Sequence, residues 1–210
     1  MQLVRIAHET VDIGGTDGLL GCSFTVLRPS MARLMYEIRK SIDIDFGHHI
    51  RGHSGACINF HGHTWKFEVG LGAETLTMEG FVIDFKQLKE QVLMPCHALL
   101  DHSLAMGAEV YEMIEAELIQ IGGKVLATRS ELHGASKTPH PAVVELFAAR
   151  NCYPGGLKIA VFPFSPTSER MARWLYDLAD KVLGDDRVKV QYARIYETLH
   201  PVEAVAEYRP

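Results

Sequence analysis

Twice between positions 36 and 71 the chain alternates apolar and polar residues with a period of two, and both runs carry histidine on the apolar side. In the first run, from 36 to 50, Ile42, Ile44, Phe46, His48 and Ile50 fall on one side, with Ser41, Asp43, Asp45, Gly47 and His49 on the other. The second sets His61, His63, Trp65, Phe67, Val69 and Leu71 against Gly62, Thr64, Lys66, Glu68 and Gly70. Successive strand side chains point to opposite faces, so each run predicts a half-buried strand. The short glycine-containing connection over 51–56 makes the two an antiparallel pair.

That pairing constrains the histidines. His61 and His63 are two apart, so both rings leave one face of their strand, at the head of the apolar stripe. His48 shares the apolar face of the first strand, whereas His49 points away. If the strands pair, three imidazoles converge at one end of the inward face. Polar groups there need partners, because burying one unpaired costs roughly 1–3 kcal/mol. Three histidines with an open fourth position make a catalytic zinc site, whereas a structural site is closed by four protein ligands. Two blander readings compete: core histidines bonded to backbone carbonyls, and a structural site closed by Cys57 or His53.

Elsewhere the pattern is helix and strand in turn. Asp84 with Gln87 three residues on resembles a capping box, which predicts a helix from Phe85 to about Met94, where Pro95 disturbs it. Phe85 reads as a core anchor. Ala108 to Ile121 reads as helix, stopped by Gly122 and Gly123, and 142–150 as a short helix. A loop is expected over 129–141 and a strand over 157–162. Ser165 and Pro166 read as N-cap and first residue of a helix with Met171, Leu175, Leu178 and Val182 on its apolar stripe and Gly184 at its end. Strands are expected over 188–197 and 202–208.

Composition narrows the function classes. The 210 residues are 47% hydrophobic with a net charge of −5, which suits a packed core and argues against a nucleic-acid partner. No apolar run reaches the roughly 20 residues of a membrane span, and the N-terminus lacks a signal-peptide pattern, so a cytoplasmic protein is expected. Cys22, Cys57, Cys96 and Cys152 contain no closely spaced pair, which disfavours a disulfide framework.

The run Cys57-Ile58-Asn59-Phe60-His61-Gly62-His63 is a CxxxHGH signature, and at these residues the chain resembles the 6-pyruvoyl-tetrahydropterin synthase family, which includes the 6-carboxy-tetrahydropterin synthases of queuosine synthesis. Further blocks match in the family's order: 45–50 around the first histidine, 80–85 through Asp101-His102, Pro166-Thr167-Ser168-Glu169, and Tyr196-Glu197-Thr198. The three residues between Cys57 and His61 favour the carboxy-forming branch. The resemblance implies an α+β tunnelling fold: a four-stranded antiparallel sheet with two helices on one face, assembled as a homo-oligomer in trimer-based rings, as large as a hexamer. It makes His48, His61 and His63 the Zn2+ ligands and 7,8-dihydroneopterin triphosphate the small-molecule substrate. It implies Cys57 as catalytic base, Asp101 and His102 as a proton relay, and Glu197 as pterin anchor and relay member. Thr167 and Ser168 would lie near the pterin.

The chain also departs from the pattern. Ser103-Leu104-Ala105-Met106 follows the Asp-His pair where Leu-Asn is usual. Residues 1–33 read as an N-terminal extension, and 34–210 as the synthase domain carrying an insertion, partly helical, over about 103–163. Two other readings stay open: a pyruvoyl-forming or side-chain-cleaving relative, and an inactive zinc-stabilised scaffold.

Overall fold

The computed structural model describes residues 35–133 and 143–210. The expected N-terminal extension lies outside the described residues, as does 134–141 of the loop expected over 129–141; residues 129–133 belong to a helix instead of that loop. The two alternating runs form β1 (Tyr36–His48) and β2 (His61–Ala73), antiparallel and in a register that sets His48 opposite His61 and Phe46 opposite His63. Ile44, Phe46, Trp65, Phe67, Val69 and Leu71 are buried, as the alternation requires.

The helix after Asp84 does not stop at Pro95. It runs as α1 (Phe85–Leu88), a wide turn (Lys89–Leu93) and α2 (Met94–Leu100). Proline has no N–H and crowds the carbonyl four residues back. The preceding turn opens to the wider repeat, with Met94 N–H bonded to Lys89 O, and so carries the chain past it. Asp84 does cap the start, its Oδ1 accepting from Lys86 N–H at 2.8 Å. Phe85 is half-exposed beneath Lys40, and is not the core anchor expected.

Segment 103–163 departs furthest from the expected fold. Among the described residues the sheet has eight strands where four were expected, in the order β4-β5-β6-β3-β1-β2-β7-β8. β1, β2, β7 (Val188–Thr198) and β8 (Ala204–Tyr208) make the expected antiparallel four. β3 (Leu104–Gly107) then adds in parallel beside Gly47 and His48, β6 (Ile159–Phe162) in parallel beside β3, and the hairpin β4 (Glu145–Leu146) and β5 (Ala149–Cys152) beyond it. The residues around 142–150 favour helix by local propensity. The structure instead turns the chain at Phe147 and Ala148, both at positive φ, and pairs it with β6. A strand covered on both faces reads as an unbroken apolar run, which is what Ile159–Phe162 is.

Both faces of the added strands are covered. Ala160 and Phe162 join the core under α1, α2 and α4 (Ser168–Leu183), while Ile159 and Val161 face Tyr111 and Leu118 of α3 (Ala108–His133). The expectation of helices on one face alone therefore fails along β3 and β6. α3 also passes straight through Gly122 and Gly123. A Cβ on Gly122 would sit 2.7 Å from the Gly155 carbonyl oxygen, so glycine is there for close approach rather than for helix termination. α4 begins two residues later than expected, capped by Thr167, whose side chain accepts from Arg170 N–H. Met171, Leu175 and Leu178 are buried, Val182 is not, and Gly184 ends the helix. Among the described residues no helix is long and apolar enough to cross a membrane.

Gly122→Ala separates the two roles of that glycine. If helix propensity ruled, alanine would stabilise the protein by about 1 kcal/mol. The backbone clash predicts the opposite, a loss of about 1–3 kcal/mol measured by urea unfolding.

Candidate metal centre

The register of β1 and β2 brings the predicted histidines together. One ligand atom from each of His48, His61, His63 and Glu197 lies within 4.8 Å of all the others. His48 Nε2 is 3.0 Å from His61 Nε2, and Glu197 Oε1 is 3.6 Å from His48 Nε2 and 3.7 Å from His63 Nε2. The floor is aromatic: Trp65 stacks on Phe46 at 4.7 Å between ring centroids, and His48 and His63 stand edge-on to Trp65 at 4.9 and 5.5 Å.

Backbone oxygens aim the rings. His48 Nδ1 lies 3.2 Å from Pro166 O, and His61 Nδ1 lies 2.9 Å from Asn59 O. A ring whose Nδ1–H is held by a carbonyl presents its Nε2 lone pair, the arrangement that orients metal-bound histidine. Burial lowers the pKa of His48 and of His63. For His48 the Pro166 carbonyl and Glu197 oppose burial, while His61 and His63 reinforce it. The neutral imidazole is the ligand form. His63 Nε2 is buried with no hydrogen-bond partner, and such an atom costs free energy unless something completes it. A divalent ion among these donors would do so, so the set fits a metal.

The other candidates fall around this centre. His49 lies outside it, edge-on to Phe60 at 5.4 Å, as the alternation requires. His53 is exposed, and its Nδ1 accepts from Gly55 N–H at 2.8 Å. Neither it nor Cys57 belongs to the four-residue group, so a closed structural site of the kind weighed from the sequence does not form. Cys57 is half-buried on the 3-10 turn Ala56–Ile58 that leads into β2, its carbonyl accepting from Ile50 N–H at 3.0 Å.

Asp101 and His102 end α2, outside the group. Asp101 Oδ2 is 2.9 Å from His102 Nδ1, and the His102 side chain is 83% exposed. Thr167 is the cap of α4, and Ser168 Oγ donates to Glu197 Oε2. Membership of Glu197 in the histidine group was not legible in the sequence. Neither was the grip of Pro166 on His48, which spans 118 positions. The Asn59–His61 contact, two residues apart, is the kind of local signal that sequence could have offered.

The family model described as 6-pyruvoyl tetrahydropterin synthase matches residues 37–210. A curated protein of Haemophilus influenzae named 6-carboxy-5,6,7,8-tetrahydropterin synthase is 24% identical over 167 residues, covering 78% of this chain and 94% of its own. One of Aquifex aeolicus with the same name is 27% identical over 157 residues, covering 73% and 75%. Among solved structures, an uncharacterised protein of Wolinella succinogenes superposes with a TM-score of 0.56 at 21% identity, covering 84% of this chain and 98% of that one. The last likeness speaks to the fold alone.

Zinc titrated into the apo-protein is expected to bind with a stoichiometry near one and to raise the melting temperature. A hundredfold excess over Kd adds about 2.7 kcal/mol to stability. His61→Ala and His63→Ala should lose both effects, and an unchanged zinc-dependent rise in either would remove these rings from the ligand set.

Proposed function

This chain belongs to the 6-pyruvoyl tetrahydropterin synthase family and is an enzyme of it, and from that premise we propose that it converts 7,8-dihydroneopterin triphosphate and water to 6-carboxy-5,6,7,8-tetrahydropterin, acetaldehyde and triphosphate. The observation that carries this reading is the three-histidine cluster with an orphaned, inward-facing His63 nitrogen beside the Glu197 carboxylate. The curated relatives of Haemophilus influenzae and Aquifex aeolicus, both named for the carboxy product, support the choice of branch. The enzyme would serve queuosine synthesis in the cytoplasm. The free thiols Cys57, Cys96 and Cys152 suit that reducing compartment.

His48, His61 and His63 would hold zinc, which when bound supplies a Lewis acid that acidifies a substrate hydroxyl and stabilises negative charge on oxygen. Cys57 as thiolate takes a proton from the pterin's side chain. Asp101 fixes His102 through Nδ1, and the exposed ring carries protons to and from the substrate. Ser168 steadies one oxygen of Glu197, leaving that carboxylate to accept hydrogen bonds from the pterin N–H and amino group. Thr167 caps α4 beside it. The substrate's reacting side chain and its ring would then lie at adjacent sites, because Glu197 also borders the histidines.

A homo-oligomeric ring is part of the proposal. Among the described residues β1 pairs with β3 only at Gly47 and His48, which leaves most of that edge of β1 unpaired by them, and β8 lies at one end of the sheet. Open edges invite pairing between copies, and head-to-tail pairing closes rings. We also propose 103–163 as an insertion into the synthase domain, and 1–33 as an extension preceding it.

Zinc-loaded protein incubated with dihydroneopterin triphosphate is expected to yield acetaldehyde and the carboxy-pterin. A pyruvoyl product or simple side-chain cleavage would reject the branch. Cys57→Ala should lower kcat by about 10²- to 10⁴-fold while keeping its zinc. Glu197→Gln should also keep zinc and lower kcat/KM by about 10- to 100-fold, the value of hydrogen bonds to a charged group. Loss of zinc in that variant would make Glu197 a fourth ligand instead of the pterin anchor.

A further inference from the structure

Asp101 and His102 follow directly on the last turn of α2, and every carbonyl from His97 to Asp101 has a donor. His97 O accepts from Asp101 N–H at 2.8 Å and Leu100 O from Ser103 N–H at 2.9 Å. The other three look outside the helix. Ala98 O and Asp101 O both accept from Lys158 Nζ, at 2.9 and 2.6 Å, and Leu99 O accepts from Asn151 Nδ2 at 2.7 Å. Helix ends leave such carbonyls without intrahelical partners, and a cation there also meets the negative end of the helix dipole.

Both donors come from the segment 103–163. Asn151, on β5, is 2% exposed. Lys158 immediately precedes β6, and its own carbonyl accepts from Leu104 N–H at 3.1 Å, the first rung beyond the Asp-His pair. The clamp therefore holds the two residues from both sides in sequence. His102 sits at φ 55°, a conformation costly for a residue with a Cβ, and is further tied by its N–H to Asp45 O at 2.8 Å.

We infer that Lys158 and Asn151 are positioning residues which, by bonding the carbonyls of Ala98, Leu99 and Asp101, hold the Asp101–His102 pair in the geometry proton transfer requires. The inference rests on the proposed relay role of that pair. It gives the segment 103–163 a task in the reaction, beyond extending the sheet. Burial lowers the Lys158 pKa while the nearby Asp101 carboxylate raises it, consistent with an ammonium held close to that group.

The test compares Lys158→Met with Lys158→Arg in the full-length, zinc-loaded protein. Two readouts are used: the His102 ring signals in 15N NMR, and kcat and KM with dihydroneopterin triphosphate. In Lys158→Met the His102 signals should shift and broaden. kcat should fall about 10- to 100-fold, the range for a displaced proton-transfer group, with KM near its original value. Lys158→Arg, which keeps charge and donors, should restore both. A folded Lys158→Met protein with unaltered His102 signals overturns the inference, as does a loss that Lys158→Arg does not rescue. If Lys158→Met fails to fold, Lys158→Gln, which keeps a donor and loses reach, carries the same comparison. If the wild-type protein itself does not turn over the pterin, the proposed reaction fails, while the His102 spectrum still decides whether the clamp exists.

Discussion

The one-to-one register between β1 and β2 is the constraint on which the rest of the molecule depends. It places His48 opposite His61, with His63 two pairs further in opposite Phe46, above a stacked Phe46–Trp65 floor. A slip of one residue would turn every inward side chain of one strand to the other face, moving histidines and core aromatics together. The hydrophobic effect therefore sets the geometry of the polar cluster. Burying Trp65, Phe67, Val69 and Leu71, each worth roughly 1.5–3 kcal/mol on the aliphatic and aromatic scale, is also what gathers the imidazoles.

Once gathered, the imidazoles are conditioned by groups from distant parts of the chain. The Pro166 carbonyl, just before α4, meets His48, and Glu197 near the end of β7 completes the four-residue group. Burial favours the neutral forms of His48 and His63 and leaves His63 Nε2 without a partner. These are features of a site built around something other than its own hydrogen bonds. Here α4 and β7 contribute to the centre as directly as the strand pair does, although neither carries a histidine of the cluster.

The segment 103–163 changes the architecture without disturbing that centre. β3 joins the sheet beside His48 itself, pairing Ala105 with it, and the strands beyond are covered on both faces. Its side chains also reach back to α2. Sheet extension and the support of Asp101 and His102 are therefore one packing arrangement, and the proposed clamp is its chemical consequence.

How much of this was legible in the residues follows from the range of the interactions. Period-two alternation and the HxH pair are local, so sequence alone determined β1, β2, the inward parity of His48 over His49, and the family resemblance. The Asp84 cap, the Gly184 stop and the α4 stripe were local too, apart from exposed Val182. What failed was decided by distant partners. α3 outran Gly122 because the 154–156 turn packs against that glycine, and the wide turn at 89–93 absorbed Pro95. Within the stretch expected as helix, residues 145–150 entered a hairpin instead because β6 offered an edge to pair with. Glu197 reached the histidines because β7 pairs antiparallel with β2, setting Tyr196 opposite Lys66. Local propensities differ by about 1 kcal/mol or less per residue, and tertiary contacts of several kcal/mol override them. Such contacts join residues whose separation along the chain carries no periodic signal, so only the folded structure could decide them.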